Sequence, residues 1–191
     1  MLKDFKKNNY IDFFNEADMI PTNHDDNGEG YYWYIPAIWV SFEEIFDDLD
    51  LPTNPKVVDI GAWYCDNLLY LGSILDNPQL HAVEVNEQYN TDMVWFIDTY
   101  SLPITLHQQD YSQHDISDYD IIYTFCIANR QPEYDEVNQY ILNNMKQWSI
   151  WIEALQDNDI INWNVINSIE NNDNSFEILY DNGTTVIVRK L

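Results

Sequence analysis

Apolar positions change rhythm along the chain at Leu51-Pro52-Thr53-Asn54-Pro55, where two prolines end any preceding helix. Upstream, residues 2–14 have the pattern of a short amphipathic helix. Residues 22–30 are polar with two glycines and read as a loop, and Tyr31-Tyr32-Trp33-Tyr34-Ile35-Pro36 is an aromatic run suited to packing. Ile38, Phe42, Ile45, Phe46 and Leu49 then recur at helical spacing, which predicts a helix over 37–49. Residues 1–53 are therefore expected to form a helical and aromatic cap, and 54–191 an α/β core.

Downstream, short apolar runs alternate with helical stretches. Strands are predicted over 56–60, 81–85, 103–107, 119–125 and 149–152, and helices over 66–75, 90–100, 133–145 and 159–169. Asp181-Asn182-Gly183 separates two β-rich runs, 175–180 and 184–189, and Asn-Gly in that setting is a strong hairpin signal. Alternation of this kind implies an α/β three-layer sandwich: a mostly parallel sheet, right-handed crossovers and helices on both faces. The hairpin adds an antiparallel last strand.

Charge changes the functional picture. Lys and Arg number 8 against 33 Asp and Glu, a formal net charge of −25. Such a surface repels nucleic-acid phosphates, whose affinity comes from basic side chains displacing counterions, and it repels anionic lipid. Direct nucleic-acid or membrane binding is not expected; a cationic partner is what the field favours. With 46% hydrophobic residues the chain can bury a core. Cys65 and Cys126 are too few for a disulfide scaffold, and no C-x-x-C spacing points to zinc. The first residues lack the apolar stretch of a signal peptide, so a cytoplasmic location is expected. Heavy use of Asn, Asp, Ile and Tyr suggests an AT-rich source such as a virus or phage, with the host cytoplasm or a virion as the setting.

The first predicted strand and its loop read Val57-Val58-Asp59-Ile60-Gly61-Ala62-Trp63-Tyr64-Cys65-Asp66. Together with the terminal hairpin, this resembles the class I (Rossmann-like) S-adenosylmethionine-dependent methyltransferases, whose seven-stranded sheet ends in such a hairpin and whose loop is usually D-x-G-x-G-x-G. Asp59 and Gly61 match that pattern, while Trp63 and Cys65 stand at the second and third glycine positions, where the Cys65 Cβ is expected to crowd the cofactor. The D-I-G-A form resembles a known variant of the loop. Glu84 closes the second strand about 20 residues after the loop, the spacing of a carboxylate that accepts hydrogen bonds from a ribose diol. The resemblance implies S-adenosylmethionine as cofactor. Asp59, Gly61, Ala62 and Trp63 would surround its methionine part, Glu84 its ribose and Asp110 its adenine, with Tyr123, at the end of the fourth strand, reaching the site. Tyr34-Ile35-Pro36 resembles a motif of non-SET lysine methyltransferases that covers the cofactor. Asp120 is expected to be structural.

Absences narrow the chemistry. Tyr123-Thr124-Phe125-Cys126 is neither the Asn/Asp-Pro-Pro-aromatic of DNA amino methylases nor a Pro-Cys nucleophile. Methyl transfer needs mainly proximity and a deprotonated acceptor, so no catalytic base is named. Residues 24–29 lack a full calcium loop, and His81, His107 and His114 have no partner at ligand spacing, so no metal is expected. Two functions remain: a methyltransferase acting on a protein or small molecule, or an inactive binding or structural member of the fold that engages a basic partner, such as a DNA-binding protein whose site it fills by mimicking DNA charge. An open pocket above Gly61 with Glu84 facing in favours the first; a pocket filled by Trp63 and Tyr64 favours the second.

Overall fold

The computed structural model describes residues 46–47, 49–63, 65–125, 133–154, 166, 169, 175–181 and 185–191. The expected helix over 2–14 and the aromatic run, most of the 37–49 helix, Tyr64, Cys126, nearly all of the 159–169 helix and the hairpin turn at 182–183 lie outside these residues. Phe46, Leu49 and Leu51 pack on the core.

Seven strands form one sheet: β1 (Lys56–Ile60), β2 (Gln79–Glu84), β3 (Ile104–Gln108), β4 (Ile121–Phe125), β5 (Ile150–Ala154), β6 (Phe176–Asp181) and β7 (Thr185–Lys190). Their order is β3-β2-β1-β4-β5-β7-β6. The first five run parallel, and β7 is antiparallel to both β5 and β6. Three helices are described: α1 (Asp66–Ile74), α2 (Glu87–Tyr100) and α3 (Glu133–Asn144).

The central strands are apolar on both faces, as sheets covered on both sides require. Val57 and Tyr123 face one core with Leu68, Leu69 and Leu71 of α1 and Met93 and Phe96 of α2. Val58, Ile60, Ile122, Trp151 and Val188 face a second core with Val137 and Ile141 of α3. Boundaries shift modestly from the sequence pattern. β2 starts two residues earlier than expected and α2 three earlier, because the Asn86 side chain accepts from the backbone N–H groups of Gln88 and Tyr89 and caps the helix. β4 starts after Asp120, whose carboxylate accepts the Lys56 backbone N–H at 2.7 Å. Asp120 is thus a structural clamp between β1 and β4. Only a short 3₁₀ turn, Tyr111–Gln113, separates β3 from β4 by way of helix.

Candidate functional site

In open α/β sheets, ligands bind beyond the carboxyl ends of the strands, where the strand order reverses. Here that point is the boundary of β1 and β4, and an open cavity of about 260 Å³ lies beside it over the ends of β1, β2 and β3. It is built from three connections, each short.

The β1 loop supplies its floor. The N–H groups of Gly61 and Ala62 both donate to the Val83 carbonyl, at 2.8 and 3.2 Å, tying the loop to β2. Gly61, Trp63 and Cys65 then all adopt left-handed backbone, with φ of 73°, 44° and 59°. These are the three alternate positions that glycine holds in the methyltransferase loop. The chain keeps the loop's turn while placing side chains on it, at a cost of about 1–2 kcal/mol for each non-glycine residue. Trp63 becomes part of the cavity wall and tilts against Tyr89 of α2 at 5.8 Å between centroids. Cys65 does not line the cavity. Its side chain is buried in the core with Sγ 2.8 Å from Met93 Sδ.

The β2 end supplies a fixed carboxylate. Glu84 lines the cavity and is 5% exposed. Oε2 accepts from the Trp63 N–H at 3.2 Å and Oε1 from the Asn86 N–H at 2.8 Å. Each oxygen keeps a further lone pair for a ligand hydroxyl. Asn90 of α2 locks the same corner, its amide donating to the carbonyls of Glu84 and Asn86.

The β3 end supplies Gln109, Asp110 and Tyr111 to the opposite wall. Asp110 caps the 3₁₀ turn through the Ser112 N–H, and Tyr111 meets Tyr140 of α3 edge-on at 5.4 Å. Of the residues proposed from sequence, Gly61, Trp63, Glu84 and Asp110 thus share one cavity. Asp59, Ala62 and Tyr123 lie outside its lining. Asp59 and Tyr123 are register partners on β1 and β4, both buried on the α1/α2 face. Asn86, Tyr89 and Tyr111 line the site without having been singled out. Asn86 carried a signal, a capping residue directly before a helix; the two tyrosines carried none.

The three histidines, without a partner at ligand spacing along the sequence, are gathered in space by the parallel pairing of β2 and β3. His81 Nδ1 lies 3.0 Å from His107 Nε2, the rings stack within 10°, and His107 is 4.5 Å from His114 between centroids. His114 bonds Gln109 and the Tyr119 hydroxyl, and its carbonyl accepts from Tyr140, so the cluster braces the segment that lines the cavity. Burial, then the His107 imidazole and the Lys56 ammonium, lower the pKa of His81 to about 4; burial and Lys56 lower that of His107, and burial, His107 and Lys56 lower that of His114. Among the described residues no three side chains are arranged to hold a metal ion.

Charge is sorted along the strands. The four described basic residues, Lys56, Lys146, Arg189 and Lys190, all lie at the end of the sheet away from the cavity. Three of them ion-pair there, Lys56 with Asp118 at 2.8 Å, Lys146 with Asp120 at 2.6 Å and Arg189 with Glu177 at 3.5 Å. Nearer the cavity, burial and the adjacent Glu84 push the Asp59 carboxyl well above the usual range, and burial pushes the Cys65 thiol up.

This sheet order and its terminal antiparallel strand define the class I methyltransferase fold. An rRNA methylase from Streptococcus thermophilus is similar over 78% of this chain and 94% of its own, with 14% identity and a TM-score of 0.57. A precorrin-6y C5,15-methyltransferase from Geobacter metallireducens is similar over 78% and 85%, at 14% identity and 0.56. An RNA methyltransferase from Salinibacter ruber, in complex with S-adenosylhomocysteine, is similar over 78% and 87%, at 7% identity and 0.52. No protein-family model matches the sequence, and no curated protein matches it. The chain has the class I S-adenosylmethionine-dependent methyltransferase fold.

Proposed function

We propose that the protein is an S-adenosylmethionine-dependent methyltransferase. The observation that carries this is the open cavity at the carboxyl ends of β1 to β3, with Gly61 at its floor and the Glu84 carboxylate facing in. The residues fit the cofactor's parts. Backbone of the Gly61–Trp63 loop lies where the methionine moiety would rest, Glu84 offers acceptors to a ribose diol, and Asp110 with Tyr111 offers an acceptor and a ring to adenine. At about 260 Å³ the cavity is near the small end for a ligand pocket, which suits a cofactor partly open to solvent. When bound, the cofactor supplies an electrophilic methyl group; the chain's part is to hold it at a fixed place and orientation.

The acceptor is a protein or small molecule. Two of the similar structures are RNA methylases by name, but this chain has no Lys or Arg from Val57 to Asn129, the stretch that builds the cavity. A phosphate backbone would find no counterion-releasing contact there. Residues 1–53 are assigned as a cap on the 54–191 core. Calorimetric titration with S-adenosylmethionine and S-adenosylhomocysteine tests the reading: binding is expected, and Glu84→Gln weakens it roughly 10- to 100-fold, the value of a charge-assisted hydrogen bond. No heat at millimolar ligand would sink it.

A further inference from the structure

Helix α2 is apolar on two sides. Met93 and Phe96 are fully buried in the core, while Val94 and Trp95 stand on the outer side, 50% and 56% exposed. The Trp95 indole makes no hydrogen bond or ring contact with any described residue. Asp92 and Asp98 flank it three residues before and after, and helix residues at that spacing are surface neighbours. Asp92 Oδ1 accepts from the Gln88 amide at 3.1 Å, and Asp98 is exposed. The last turn of α2 carries no basic residue, so the helix's own side chains leave the negative end of its dipole unopposed.

Charge complementarity decides what fits this face. A second copy of the chain brings another net charge of −25, and nucleic acid or anionic lipid brings phosphates; each is repelled. A lysine or arginine side chain is attracted on three counts. The indole face draws a cation, the flanking aspartates pair with it, and the helix end adds partial negative charge. Tryptophan is also among the side chains that most often anchor protein interfaces. We propose that the outer face of α2 is a docking surface for a basic segment of another protein, with Trp95 as its anchor and an arginine or lysine of that segment lying over the indole between Asp92 and Asp98. Val94 supplies the apolar contact beside it. The face stands outside the cavity lining, so docking does not depend on what the cavity holds.

The test is calorimetric titration of the full chain with a short synthetic peptide alternating arginine with leucine and serine, beside the same peptide with citrulline in place of arginine. The arginine peptide is expected to bind and the neutral one to bind far more weakly. Trp95→Ser should weaken binding about 5- to 30-fold, the value of a cation–π contact as it loses water. The helix survives that change, because the two residues have similar helix propensity. Trp148→Ser removes another exposed indole, one whose backbone bonds Lys190 at the basic end of the sheet, and should leave binding unchanged. Asp92→Asn with Asp98→Asn should weaken binding and flatten its dependence on salt. In the parent, the Trp95 indole N–H resonance, assigned by its loss in Trp95→Ser, should shift on binding. Undiminished binding by Trp95→Ser, or equal loss in both tryptophan variants, means that bulk charge holds the peptide and overturns the proposal. Absence of binding by the arginine peptide overturns it as well. A parent that sediments as a dimer while Trp95→Ser sediments as a monomer gives the face to a second copy and overturns it too.

Discussion

Three residues decide the shape of the site. Gly61, Trp63 and Cys65 share the left-handed backbone that the loop needs, although only one of them is glycine. The turn is imposed by its surroundings: the two bonds to the Val83 carbonyl on one side and the Cys65 N–H to Ala62 carbonyl bond, at 2.7 Å, on the other. This makes a direct prediction. Cys65→Gly relieves left-handed strain while losing a small buried side chain, and should lie within about 1 kcal/mol of the parent in urea unfolding. Cys65→Val places a β-branched residue in that region and should cost about 2–3 kcal/mol. Equal midpoints for the two variants would contradict the loop conformation. The motif's Asp and first Gly were legible in the sequence. That Cys65 would turn into the core against Met93, leaving the cavity clear, was not, because it depends on a helix 28 residues further on.

At the scale of elements, α2 and the β2–β3 pair do most to hold the cavity. Asn86 both caps α2 through its side chain and donates its backbone N–H to Glu84. Asn86→Ala removes only the first role. It should cost about 1 kcal/mol, measured by chemical denaturation, and leave the Glu84 contact in place. The imidazole cluster makes stability depend on pH. His81 titrates near 4 when folded against about 6.5 unfolded, so the unfolded chain binds protons first as pH falls. Stability from this group is complete above about 6.5 and declines progressively toward pH 4. Asp59, raised in the folded state, acts in the opposite direction. The useful comparison is therefore the parent against His81→Gln, whose melting temperature should fall less over the same range. A parallel fall in both would exclude the cluster as the source. Alternation of strands and helices was legible because periodicity is local. The cluster was not, since 26 residues separate His81 from His107 and only parallel strand register brings them together.

The whole molecule carries its net charge of −25 unevenly. The described basic residues clamp the amino-terminal end of the parallel strands, where Lys56 and Lys146 pair with Asp118 and Asp120 and Lys190 donates to the carbonyls of Leu142 in α3 and Met145 just after it. The carboxyl-terminal end, with the cavity, has acidic lining and none of them. Self-repulsion of this size destabilises the compact state, and salt screens it over about 10 Å at 0.1 M. The melting temperature should rise on going from low ionic strength to about 0.15 M salt, the reverse of what loss of surface ion pairs alone would produce. A steady fall would mean that the exposed pairs outweigh the repulsion.

By itself the sequence determined the class of fold, because hydrophobic periodicity, the Asn-Gly turn and the Asp-x-Gly loop are short-range properties of the chain. It also determined that the stretch from Val57 to Asn129, which builds the cavity, contributes no Lys or Arg side chain to it. The tertiary structure alone decided which of the candidate residues meet. Parallel register and the pleat set Gly61, Trp63, Glu84 and Asp110 around one opening, turned Asp59 and Tyr123 to the buried face, and left one carboxyl group there without a partner. Side-chain direction alternates with every residue of a strand, so a shift of one position would have exchanged the lining for the core.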